Sequence, residues 1–245
     1  HAPGSNARSV ADYVMAAVLS LAHRAGEDVQ DRTAGIIGCG HVGERVARRL
    51  EALSLRVLRN DPPLADAADE DGRDHPYLPL STVQAEADLI SLHVPLTETG
   101  PYPTRSMVDQ SFLTALQEGT WLLNTARGAV VERLPLLEAL RDGSLSAAAL
   151  DVWPNEPTPD PALLRAVDLA TPHIAGYAHD GKVRGTAMLY RAVCEHFGHE
   201  ATWQPPTETG LNPQELRLQV PDPRLSYTDW LHHLARRAYD IRADH

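Results

Sequence analysis

The chain has 245 residues, 43 % of them hydrophobic, and carries two cysteines and a formal charge of −11. That length and apolar content suffice for one large α/β domain, or for one domain and part of a second. The acidic balance, with no basic run to offset it, argues against nucleic acid and anionic membrane surfaces as partners. Cys39 and Cys194 provide neither a disulfide framework nor a metal-ligand spacing, so a reducing, cytoplasmic setting is expected. The histidines add no metal site: His232 and His233 are adjacent and point apart on a helix, and His196 and His199 lack a third ligand.

The first periodic stretch predicts a buried helix capped by Ser5 or Asn6 and running to about His23. Its apolar part, Tyr13 to Ala22, is too short to span a bilayer and lacks the basic start and cleavage site of a leader. Residues 1–24 therefore read as a connecting helix from a half-domain upstream. Residues 25–176 read as a dinucleotide-binding domain. A strand over Thr33–Ile37 runs into Gly38-Cys39-Gly40-His41-Val42-Gly43, and a helix from Glu44 to Leu53 follows. In such a turn the first glycine bends the chain, the second lets the backbone approach a pyrophosphate, and the third lets helix and strand pack closely. A second strand, Leu55 to Asn60, ends on Asp61, 18 residues past Gly43, where a carboxylate can reach ribose hydroxyls. Gly38, Gly40, His41, Val42, Gly43 and Asp61 are thus expected to line the cofactor.

Pro62 to Pro79 is acidic and Pro-rich without periodicity and is expected to be a surface loop. Four further strands are predicted at 87–94, 120–124, 147–152 and 167–170, with helices at 109–116 and 132–141, the second closed by Gly143. Strands alternating with helices imply a doubly wound parallel sheet, a Rossmann-type fold, whose ligands sit beyond the carboxyl ends of the strands. The residues there are His93-Val94-Pro95, then Thr125-Ala126-Arg127, Asp151 to Pro157, and His173 to Tyr177. A helix over 181–196, within a segment 177–200 that returns to the absent half-domain, carries Val183, Ala187, Leu189, Tyr190 and Val193 as its apolar positions. A linker over 202–213 and an amphipathic helix over 225–241 complete the chain. The apolar stripe of that last helix is expected to be covered by another subunit or by the missing segment.

An arginine, a carboxylate and a histidine beside a dinucleotide are a working set for hydride transfer at a 2-hydroxy acid. Arg127 would hold the substrate carboxylate with its planar fork and polarise the C2 oxygen. His173 would take the hydroxyl proton, and Glu156 would orient the imidazole and favour its charged form.

Asn124-Thr125-Ala126-Arg127-Gly128-Ala129-Val130-Val131 and Thr171-Pro172-His173-Ile174-Ala175-Gly176 make the chain resemble the D-isomer-specific 2-hydroxyacid dehydrogenase family over most of residues 5–200. Asn60-Asp61-Pro62-Pro63, Gly100-Pro101-Tyr102 and Gly176-Tyr177 with Gly181-Lys182-Val183-Arg184-Gly185-Thr186 are similar to a branch acting on a phosphorylated four-carbon acid. The resemblance implies NAD as cofactor and catalytic roles for Arg127, Glu156 and His173. It also implies NAD contacts from Asp61, Asp151, Gly176 and Val94, with His93, Pro95, Thr125 and Ala126 beside them, and a substrate contact from Tyr177. The stretch from about Leu216 is similar to the start of a C-terminal dimerisation region in that branch, so a homodimer is expected. Two other readings stay open. One is another family member, such as a phosphoglycerate dehydrogenase or a hydroxypyruvate or glyoxylate reductase; the other is a non-enzymatic NAD(H)-sensing protein, which would have no use for the acid–base pair.

Overall fold

A computed structural model describes residues 1–205, 222 and 224–245. Its strands are β1 (Thr33–Ile37), β2 (Arg56–Asn60), β3 (Leu89–Leu92), β4 (Thr120–Asn124), β5 (Leu145–Leu150) and β6 (Leu169–Ala170). They form one parallel sheet in the order β2-β1-β3-β4-β5-β6. The chain leaves β1 towards β2 and then crosses back to β3 on the other side of β1, which creates a topological switch point between β1 and β3. The register aligns the strand ends in one row, Asn60, Ile37, Leu92, Asn124, Leu150 and Ala170. The residues that follow, Asp61, Gly38, His93, Thr125, Asp151 and Thr171, therefore emerge side by side along a single edge.

Near-continuous apolar strands are what a sheet buried on both faces requires. Ile36, Leu123 and Ala149 point into one core with α1 (Ala7–Ala25) and α2 (Gly43–Ala52). Ile37, Leu122 and Leu150 point into the other, against α4 (Leu80–Glu86), α5 (Gln110–Thr114), α6 (Arg133–Asp142) and α7 (Pro161–Ala166). Val46 and Leu50 of α2 are fully buried, each contributing about 1.5–3 kcal/mol by leaving water.

Several expectations are corrected. The stretch 62–79 is not a loop throughout, because α3 (Pro62–Glu70) occupies its first half. Asp61 caps that helix, its Oδ1 accepting from Leu64 N at 3.1 Å, and Pro62 fills the first turn; the Asp-Pro-Pro start signal was present without apolar periodicity behind it. Tyr77 forms an isolated parallel bridge with Arg59 beyond β2. β3 is shorter than 87–94, and β5 ends before Asp151, which begins the following loop. Asn6 precedes α1 but makes no capping hydrogen bond through its side chain. α1 is buried along most of its length within the same core as one face of the sheet.

Of the apolar positions expected in α8 (His179–His196), Ala187 is buried while Leu189 and Val193 are exposed. Its first half lies on the chain's own start, where a Cβ on Gly181 would stand 3.4 Å from Asn6 Cα. The amphipathic tail forms α9 (Tyr227–Ala238), shorter than the expected 225–241, and one side of it packs on α1. Leu231, Ala235 and Tyr239 pack on the α1 core, and the His232 ring stacks on His23 of α1 with centroids 4.2 Å apart. Trp230 and Leu234 are half-buried. Most of the expected linker, and the stretch from Leu216 to 221, lie outside the described residues.

The three glycines of the turn separate into fold and ligand roles. A Cβ on Gly43 would meet Gly38 O at 1.9 Å, whereas one on Gly40 would meet nothing within 4 Å. Gly43→Ala should therefore lower stability by about 3 kcal/mol or more, and Gly40→Ala should change it by less than about 1 kcal/mol while weakening NADH binding. Urea unfolding midpoints and fluorescence titration with NADH check both.

Candidate active site

At the switch point the β1 turn and the loop after β3 touch. Gly38 has φ +88°, and a Cβ there would lie 2.8 Å from the His93 carbonyl carbon, so only glycine fits. Asp61 Oδ2 accepts from Cys39 N at 2.7 Å while Oδ1 caps α3. One carboxylate thereby ties the glycine turn to the end of β2. Arg59 does not turn towards it, because its guanidinium is held by Glu44 at 3.2 Å and Glu51 at 2.7 Å on α2. The Cys39 thiol is pushed up to about 12, chiefly by burial and then by Asp61, which keeps it protonated and unreactive. His41 is exposed beside Gly4, and Val42 is half-buried. The open space over Gly40 and the uncapped N-terminus of α2 fit a dinucleotide diphosphate. Among the described residues no group of three or more His, Cys, Asp or Glu side chains is placed to hold a metal ion, and no helix is long and apolar enough to cross a membrane.

His93 stands at the centre of the edge, with Ser91 Oγ 2.9 Å from Nε2 and Thr125 Oγ1 3.3 Å from Nδ1. Val94 is half-buried and Pro95 exposed, while Ala126 is buried beside them. Asn124, buried at the end of β4, shapes the next turn: its Oδ1 accepts from Ala126 N at 3.0 Å and its Nδ2 donates to Arg127 O at 3.1 Å. The Arg127 side chain is left at the surface. Its one hydrogen bond is to the carbonyl of Ala126, and among the described residues it has no ion pair. A Cβ on Gly128 would stand 1.9 Å from Trp153 O, so this turn and the loop after β5 are pressed together.

In that second loop Glu156 Oε1 accepts from Trp153 N at 2.8 Å, and Oε2 lies 2.8 Å from His173 Nδ1. Burial raises the Glu156 carboxyl, but the hydrogen bonds from His173 and Trp153 N and the charges of His173 and Arg127 outweigh it. Its pKa falls below the ordinary carboxylate value and the group is ionised at neutral pH. The Glu156–Pro157 peptide is cis. His173 is exposed and has φ +59°, a left-handed conformation uncommon outside glycine. The structure thus brings Arg127, Glu156 and His173 onto adjoining loops at one edge, with the carboxylate–imidazole pair formed.

Asp151 begins the loop after β5 and is held from within. It is 1 % exposed, and its Oδ1 accepts from Thr171 Oγ1 at 2.7 Å and Ile174 N at 2.8 Å, its Oδ2 from Ala175 N at 2.9 Å. The carboxylate holds the loop that carries His173. Gly176 backs onto Asn6, where a Cβ would meet Nδ2 at 2.4 Å. Tyr177 is 72 % exposed, with the Lys182 ammonium 3.3 Å from its ring centroid; Lys182 lowers its phenol pKa. Thr171, Trp153, Asn124 and Tyr13 were missed in the sequence. Thr171 and Asn124 were nevertheless legible as polar residues at strand ends, whereas Tyr13 reads as an ordinary apolar helix position.

Residues 6–175 match the family described as D-isomer specific 2-hydroxyacid dehydrogenase, NAD binding domain, and the chain belongs to that family. Its cofactor is NAD. Among curated proteins, the erythronate-4-phosphate dehydrogenase of Salinibacter ruber (strain DSM 13855 / M31) is 59 % identical over an alignment that covers 100 % of this chain and 62 % of that protein. The protein of the same name from Escherichia coli O127:H6 is 40 % identical over an alignment that covers 99 % of this chain and 62 % of its own. The chain spans about three-fifths of the length of these relatives. Among solved structures, an NAD-dependent formate dehydrogenase from Staphylococcus aureus in complex with NAD aligns with TM-score 0.66 at 27 % identity, covering 83 % of this chain and 65 % of the other. A D-lactate dehydrogenase from Aquifex aeolicus complexed with NAD and lactic acid aligns with TM-score 0.64 at 26 % identity, covering 81 % and 69 %.

His93 generates a pH prediction. Burial pushes its pKa down to about 3, against about 6.5 in the unfolded chain. Below pH 6.5 the unfolded state therefore binds the extra proton, so this contribution to stability is whole above pH 6.5 and is lost as pH falls towards 3. Between pH 6.5 and 5 the parent should lose about 2 kcal/mol through this group. His93→Gln should show a correspondingly smaller shift in urea midpoint between pH 7 and pH 5.

Proposed function

We propose that the chain is the NAD-binding and acid–base part of an enzyme that oxidises the C2 hydroxyl of a D-2-hydroxy acid. The observation carrying this reading is the 2.8 Å Glu156–His173 pair on the same sheet edge as an arginine without an ion pair among the described residues. Bound NAD would accept the hydride from C2. Arg127 would fork onto the substrate carboxylate, a partner that no described residue supplies. His173, with Nδ1 turned to Glu156, would receive the hydroxyl proton on Nε2, and Glu156 would stabilise the resulting imidazolium. A protein that only senses NAD(H) has no use for this pair. Engagement of Arg59 by Glu44 and Glu51 leaves the Asp61 carboxylate without a cation to welcome a 2′-phosphate, which favours NAD over NADP.

The substrate that this reading favours is 4-phospho-D-erythronate, oxidised to 2-oxo-3-hydroxy-4-phosphobutanoate in pyridoxal phosphate biosynthesis. Support comes from the relatives called erythronate-4-phosphate dehydrogenase, which align over nearly the whole chain at 40–59 % identity. The single lysine of the sequence, Lys182, lies over Tyr177 just past the His173 loop, where a cation could meet the phosphoryl end. A cytoplasmic homodimer is part of the same proposal.

Steady-state kinetics of the full-length protein across pH 5–9 test it. His173→Ala should lower kcat by about 10² to 10⁴-fold with NADH binding retained. Arg127→Lys should raise KM for the acid and lower kcat together. Glu156→Gln should move the acid limb of the oxidation profile to lower pH, since the amide no longer favours imidazolium. A His173→Ala enzyme with parental turnover would overturn the mechanism. Lys182→Met should raise KM for the phosphorylated acid by about 10-fold or more, the weight of one charge-assisted contact, and leave an unphosphorylated 2-hydroxy acid unaffected; equal effects on both would remove the assigned substrate.

A further inference from the structure

We infer that Tyr13 and Thr171 are positioning residues for His173, linked to it through the buried Asp151 carboxylate. Tyr13 is 2 % exposed, Thr171 and Asp151 1 % each. The direction of the relay follows from chemistry. A carboxylate only accepts, so the Thr171 hydroxyl donates its proton to Asp151 Oδ1 at 2.7 Å, and its oxygen is left to accept from the Tyr13 hydroxyl at 2.7 Å. Asp151 then takes the N–H groups of Ile174 and Ala175. His173 is thereby bracketed, with a fixed threonine two residues before it and two captured N–H groups immediately after.

The bracket explains how a non-glycine residue is held at φ +59°, a conformation that persists only where its surroundings over-determine it. The other half of the acid–base pair is held from the same point. Trp153 donates through its indole Nε1 to Thr171 O at 2.9 Å and through its backbone N to Glu156 Oε1 at 2.8 Å. Thr171 thus sets the His173 loop relative to Glu156 from both its backbone and its side chain. Tyr13 belongs to α1, so the long buried helix is wired to the imidazole that the proposed chemistry uses.

This inference rests on reading His173 as the proton-transfer group, and the variants keep the two apart. In the full-length enzyme Thr171→Val keeps the shape and removes the hydroxyl. It should lower kcat by about 10 to 100-fold, the effect of a small misplacement of a catalytic group, and move the acid limb of the profile to lower pH as the imidazolium loses alignment with Glu156. KM for NAD should stay within about 2-fold, and Thr171→Ser should restore kcat to within about 3-fold, as expected if the hydroxyl and not the methyl matters. Tyr13→Phe should act in the same direction more weakly. A Thr171→Val enzyme with a lowered unfolding midpoint but parental kcat and pH profile would reduce the relay to a stabilising contact and overturn the inference. If that variant fails to fold, Tyr13→Phe decides: a displaced His173 imidazole resonance with a changed profile supports the relay, and an unchanged resonance and profile overturn it. Parental turnover in His173→Ala would instead sink the acid–base reading itself.

Discussion

The site depends on one buried carboxylate. Asp151 sits at the end of β5 with almost no exposure, where an ionised group without partners would be prohibitively expensive. Three donors remove that expense, and all three come from residues 171–175 beyond β6. The loop has little freedom to adopt another path, because any path that withdrew these donors would leave a charge buried and unpaired. The unusual backbone at His173 and the imidazole's reach to Glu156 both follow from that constraint.

The same logic runs along the whole edge. The parallel register places the first residue after each strand in one row, and most of these residues bond sideways to a neighbouring loop as well as standing where a ligand would bind. Asp61 binds the glycine turn and caps α3, His93 lies between Ser91 and Thr125, and Asp151 accepts from the Thr171 hydroxyl. Side chains used in this way are rigid. The Arg127 side chain and the His173 ring are exposed at the same edge.

The tail closes the α1 face of the sheet. α1 fills one face of the sheet with small and branched residues, and α9 lies across it, with Thr228 Oγ1 accepting from Val29 N at 2.9 Å and donating to Asp28 at 2.9 Å. The tail is thus stapled by polar contacts at its start and by Leu231, Ala235 and Ile241 along its length. α8 lies on the chain's own start through Gly181 and Gly185 against Ser5 and Asn6, and Leu189, Val193 and Phe197 are exposed further on.

The sequence by itself determined the doubly wound fold, the glycine turn, the acidic residue after β2 and the trio Arg127, Glu156 and His173. Those features depend on local spacing: a strand period, a turn that requires glycine, and a motif that follows each strand. α3 escaped because its start signal, Asp61 with Pro62, carries no apolar periodicity, and the helix buries little beyond Ala68. What only tertiary structure decided was the use of side chains whose type allows two fates. An aspartate after a strand can have several partners, and the Asp151 carboxylate is held by a threonine 20 residues later, whose hydroxyl in turn meets a tyrosine 138 residues before the aspartate. The apolar stripe of α9 could equally have met a second subunit, and it meets α1 because the chain brings His232 and Leu231 onto that helix. Local chemistry names the donors and acceptors, but which of them pair depends on contacts between residues far apart in the chain.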